Sequence, residues 1–74
     1  MVTDREWLAA YASALGVTPP TEDQFERLLF LAAEAAHSSQ RTAAPIACWL
    51  AARSDLPLDS AIEVAESLRP TPDA

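Results

Sequence analysis

The side chains best suited to binding chemistry in this chain are His37, Ser39, Arg41 and Thr42. They lie in the run His37-Ser38-Ser39-Gln40-Arg41-Thr42-Ala43-Ala44-Pro45, between two strongly apolar helical patterns. A helix start follows at once, with Pro45 in its first turn. The positive end of a helix dipole and its leading N–H groups favour negative charge. Arginine adds a rigid planar fork that matches a carboxylate or a phosphate. The chemistry expected here is recognition of an anion or of a partner's carboxylate, with His37 and Arg41 orienting it. A plainer reading stands beside it: His37 and Arg41 cap the last carbonyls of the preceding helix and pair with Glu34. Spacing alone leaves both open, because positions four apart share a face only if that helix runs past Ser38.

Other constellations carry less. Asp59-Ser60 at a helix start is the pair on which acyl- and peptidyl-type carrier proteins, also small acidic helical bundles, receive a phosphopantetheine arm. Here only one short helix follows Ser60, and Ala61 replaces the usual leucine; a helix cap accounts for the pair. Trp7, Tyr11, Phe25, Phe30 and Trp49 fall at helical spacing and are expected in the core rather than around a ligand. Cys48 has no base beside it in sequence and reads as a small buried hydrophobe. Acid pairs such as Glu22/Asp23 and Glu63/Glu66 read as solvated faces. With one glycine, Gly16, the glycine-rich nucleotide fingerprints are excluded. No catalytic residue, metal ligand set or cofactor is expected.

Composition narrows the partners. The chain has 74 residues and a formal net charge of −6. An acidic protein lacks the basic footprint that nucleic acid and anionic membrane require. All five basic residues are arginines, with no lysine or asparagine, the codon signature of a GC-rich genome. A lone cysteine allows no internal disulfide and, with one histidine, no four-ligand zinc site. No basic segment precedes an apolar core at the N-terminus, and the longest apolar run, Leu28 to Ala33, is far below the roughly 20 residues of a membrane span. A cytoplasmic location is expected, which suits a single thiol. Half the residues are hydrophobic, a large share for a small domain, and this argues for a homo-oligomer or a protein partner.

The elements that must position these residues are four helices, expected near 4–15, 22–38, 43–53 and 60–69. Thr3 with Glu6, and Thr21 with Gln24, form capping boxes. Gly16 stops the first helix, and Val17-Thr18-Pro19-Pro20 is a stiff linker. The second helix is apolar nearly all round and is expected to be central. Thr42 is the expected cap of the third helix, and Asp59 or Ser60 of the fourth. No strand signal competes. The fold expected is all-α, a compact bundle of four short helices in one domain over residues 1–69, with a disordered tail over 70–74.

The order Trp7…Tyr11-Ala12-x-Ala14-Leu15-Gly16-Val17-x-Pro19-Pro20, followed by Leu29…Ala33-x-x-Ala36-His37-x-Ser39-x-Arg41-x-x-Ala44-Pro45, resembles a small helical domain family of GC-rich bacteria. Members occur alone or joined to molybdenum-cofactor guanylyltransferase-like proteins, and near genes for formate dehydrogenase. The resemblance runs from Trp7 to Leu68 and is most specific over His37 to Pro45. Gln40 stands where an acid is expected, so a charge pair at that position lacks its charge. The family carries no assigned activity, so the resemblance implies an association rather than a mechanism. It implies a non-catalytic adaptor or accessory subunit whose partner is a molybdoenzyme or a cofactor-assembly protein. A stand-alone module for a small anionic ligand is the alternative, and a carrier protein a more distant one.

Overall fold

A computed structural model describes residues 2–70. The helices are α1 (Asp4–Leu15), α2 (Glu22–Ser38), α3 (Ala43–Arg53) and α4 (Leu58–Ser67). The chain is an all-α bundle of four short helices, and the bounds of α1, α2 and α3 fall at the expected 4–15, 22–38 and 43–53. Both capping boxes form: the Thr3 and Thr21 hydroxyls accept from the N–H groups of Glu6 and Gln24, whose side chains accept from the cap N–H groups in return. Gly16 ends α1 at φ 77°, and the Val17 N–H reaches back to the Ala12 carbonyl at 2.9 Å, closing a Schellman turn.

α2 is the hub. It packs on both α3 and α4, and α3 touches α4 more lightly. Two arginine bridges fix α4 along it. Arg27 joins Asp23 to Asp59 at the start of α4, and Glu34 receives Arg69 just past its end. α2 and α4 therefore run in the same direction. Arg69 is thus held in place at the end of the domain; of the expected disordered tail over 70–74, residues 71–74 lie outside the described residues.

α1 stands apart, with no close backbone approach to the other helices. It is tied on by Arg5, which pairs with Glu22 and lies over the Phe25 ring at 3.8 Å, and by burial of Ala12. Among the described residues Ala12 and Leu31 alone are buried hydrophobics.

Three local expectations are corrected. α4 begins at Leu58, so Pro57 rather than Asp59 or Ser60 is its N-cap. Pro57 already has helix-compatible φ, and its carbonyl accepts from the Ala61 N–H at 3.0 Å. Thr42 has helical dihedrals and makes no side-chain cap bond. The N–H its hydroxyl would reach is missing at Pro45 and already bonded at Ala44. The aromatics do not form a core: Trp7, Tyr11, Phe30 and Trp49 are exposed, Trp49 at 58 %, and only Phe25 is half-buried.

Candidate functional site

The expected site residues divide between two places. His37 shares a shallow polar pocket with Glu34, Ser38, Arg69 and Pro70. Ser39 and Thr42 line a separate depression floored by Ile46, Ala47 and Leu50. Arg41 is exposed in the turn between them, and among the described residues its guanidinium has no ion-pair partner. The helix α2 ends at Ser38, so His37 and Arg41 do not share a helical face.

Local chemistry explains the division. The Ser39 hydroxyl donates to the Ala35 carbonyl at 2.9 Å, closing the end of α2. Glu34, whose side chain is only 10 % exposed, is already matched by the Arg69 fork at 2.8 and 2.7 Å. The hydrogen bond from Arg69 holds the Glu34 carboxyl below the usual carboxylate range, with smaller help from the Ser38 hydroxyl and the nearby His37. Arg41 is therefore not needed as the partner of Glu34. At the start of α3, the Ala43 N–H donates to the Gln40 carbonyl and the Ala44 N–H to the Arg41 carbonyl. Pro45 has no N–H. The amides that would hold an anion at this helix start are used within the turn, and an incoming carboxylate meets side-chain donors instead.

The depression beneath Ser39 and Thr42 continues into a second one. Ala47 and Leu50 also wall an apolar groove between α3 and α4, floored by Leu31 and bordered by Leu56, Val64 and Leu68. Ile46, Leu50, Leu56, Val64 and Leu68 all remain about half-exposed or more, Leu68 reaching 74 %. The result is an apolar strip crossing from the Arg41 turn to the end of α4. Helical spacing puts Ile46, Trp49, Leu50 and Arg53 on one face of α3, and nothing in that spacing says that the face points outward.

A second groove, of about 380 Å³, lies between α1, the Val17–Pro20 linker and α2. Leu8, Tyr11, Leu15, Phe25 and Leu28 line it, and no charged side chain does. Cys48 reaches it from α3, with its thiol 3.8 Å from the Leu28 carbonyl oxygen, and burial pushes that thiol up. A more polar cleft elsewhere gathers Asp23, Glu26, Asp59 and Glu63 around Phe30 and Ile62, with Arg27 already held between Asp23 and Asp59. Asp59 is thereby engaged, and the adjacent Ser60 sits half-buried inside the first turn of α4.

Among the described residues no three His, Cys, Asp or Glu side chains converge as metal ligands, and no buried side-chain polar atom lacks a partner. No helix among them is long and apolar enough to cross a membrane. What the surface offers is apolar area with a cation at its edge.

These features define a class, a small helical domain built around exposed apolar grooves. Residues 1–69 match the model of a domain of unknown function, DUF6457, and the chain belongs to that family. No curated protein and no solved structure matches the chain.

Proposed function

We propose that this chain is a non-catalytic helical adaptor or small accessory subunit that docks on a protein partner through the α3–α4 strip. The observation that carries the reading is the strip itself: Ile46, Leu50, Val64 and Leu68 stay exposed in a row that begins beside the turn holding Arg41, which has no ion-pair partner among the described residues. Large apolar side chains left facing water cost stability, and contiguous patches of them mark interaction sites. Arg41 supplies the edge contact, a fork for a carboxylate on the partner.

The partner follows from the resemblance over Trp7 to Leu68: a molybdoenzyme such as formate dehydrogenase, or a protein of molybdenum-cofactor assembly. The strip needs no cofactor of its own for this role. Ser39 and Thr42 form the polar border of the docking surface, and His37 lies beyond it with Glu34 and Arg69.

The test is binding of Arg41→Ala to the partner. Loss of one charge-assisted contact is worth about 1.5–3 kcal/mol, or a roughly tenfold to hundredfold loss of affinity. The helical circular-dichroism signal should be unchanged, since the Arg41 side chain makes no hydrogen bond or ion pair to another of the described residues. Unaltered affinity removes Arg41 from the interface.

A further inference from the structure

α1 is joined to the rest of the protein far more thinly than the other helices are joined to one another. Helices in direct contact lie about 8–10 Å apart, axis to axis. With each Cα about 2.3 Å off its axis, facing Cα atoms then approach well inside that spacing. No Cα of α1 comes within 8 Å of one in α2, α3 or α4. Among the described residues no backbone hydrogen bond crosses from α1 or its linker to the other helices. The Gly16 and Val17 N–H groups turn back to Ser13 and Ala12, and the next such bond, from Phe25 to Thr21, already belongs to the start of α2.

What remains is a clasp and two side chains. The clasp is Arg5, which pairs with Glu22 and lies over the Phe25 ring at 3.8 Å. Both charged groups face water, where such pairs hold weakly and salt screens them. The two side chains are Leu8 and Ala12, the only residues of α1 that are not exposed. They line the same groove as Phe25, Leu28 and Cys48. α4 makes the contrast plain. It has 10 residues against 12 in α1, yet it packs on α2 and is pinned near both ends by Arg27 and Arg69.

The connection to α2 allows movement at one point. Pro19 and Pro20 hold their own φ angles, and every residue from Val17 to Pro20 is exposed. Gly16 stands before them at φ 77° with nothing within 4 Å of where a Cβ would sit, so rotation there meets no neighbour. We infer that α1 is a releasable strap: it leaves α2 as a unit about Gly16 while α2, α3 and α4 stay folded, and the Arg5–Glu22 pair is its latch. A helix of 12 residues is marginal in water on its own, so the released strap melts. Release uncovers Phe25, Leu28 and the Cys48 thiol, all half-buried while the strap is closed. None of these three lines the α3–α4 strip, so docking there does not require the strap to move.

The experiment is hydrogen exchange of the full chain, read by mass spectrometry of peptides, beside labelling of Cys48 with a chromogenic disulfide reagent. Cys48 is the sole cysteine, so labelling reports this groove alone. Peptides from α1 should exchange at least about tenfold faster than those from the middle of α2, once corrected for sequence. Arg5→Ala leaves the Thr3/Glu6 capping box in place. It removes one exposed ion pair and one cation–π contact, and should speed both α1 exchange and Cys48 labelling roughly threefold to tenfold. Exchange in α2, α3 and α4 should not change. Ala12→Glu puts a charge where α1 is buried and should hold the strap open with the other three helices still protected. Equal protection of α1 and α2 in the wild type overturns the proposal, because the chain then opens only as one unit. Loss of protection throughout the chain in Ala12→Glu overturns it as well. So does faster α1 exchange in Arg5→Ala with unchanged Cys48 labelling, which is fraying of a helix that never uncovers the groove.

Discussion

At the scale of single residues, the chain shows how local competition decides which side chains are free to bind. Arg41 is not engaged by Glu34, which already has Arg69, and the Ser39 hydroxyl proton is committed to the Ala35 carbonyl, leaving its oxygen only to accept. The sequence displayed His37, Ser39, Arg41 and Thr42 as one polar run. It could not display the pairing of Glu34 with Arg69, which are 35 positions apart. Glu34 gives a pH prediction with a definite sign. Its carboxyl is held below its ordinary range in the fold. The stability it contributes is therefore present above the unfolded carboxylate pKa of about 4.3 and is lost as pH falls through its lower folded value. Glu34→Gln should accordingly be less stable than wild type at neutral pH, and urea midpoints of the two should converge on acidification below that range. Leu31 carries a different prediction. It is 2 % exposed and lies at the junction of α2, α3 and α4. Leu31→Ala should lower the unfolding free energy by about 2–5 kcal/mol in chemical denaturation. A chain this size has only about 4–11 kcal/mol in total, so that one change removes a large share.

At the scale of elements, legibility follows from which signals are covalent and local. The starts of α1 and α2 were readable because Thr3/Glu6 and Thr21/Gln24 satisfy each other's backbone N–H groups within four residues. The starts of α3 and α4 were less readable because proline altered the rules. Pro45 removes the donor that Thr42 would have capped, and Pro57 starts α4 ahead of Asp59 and Ser60. Between α3 and α4, Asp55 takes a left-handed conformation at φ 66°, which aspartate tolerates better than most residues. Gly16 at φ 77° is the other left-handed position, and nothing lies within 4 Å of where a Cβ would sit. Gly16→Ala should therefore cost only the backbone penalty, about 1–2 kcal/mol, read as a drop in Tm without any change in helical content at low temperature.

At the scale of the whole molecule, helical spacing told which apolar residues share a face but not what covers that face. Trp7, Tyr11 and Leu15 recur along α1, and Ile46, Trp49 and Leu50 along α3, as core residues would. In the fold both faces are open to solvent. The high hydrophobic share was the one sequence feature that pointed to this outcome. The α3–α4 strip, which ends beside the Arg41 turn, is the surface proposed for docking. The most direct test of the docking claim is affinity capture from a native extract with three baits: wild type, Leu50→Glu in the strip, and Ala14→Glu on α1. The account predicts that a molybdoenzyme or a molybdenum-cofactor assembly protein co-elutes with wild type and Ala14→Glu and is lost with Leu50→Glu. Recovery of the chain without such a partner, or equal recovery of that partner with Leu50→Glu, would contradict it.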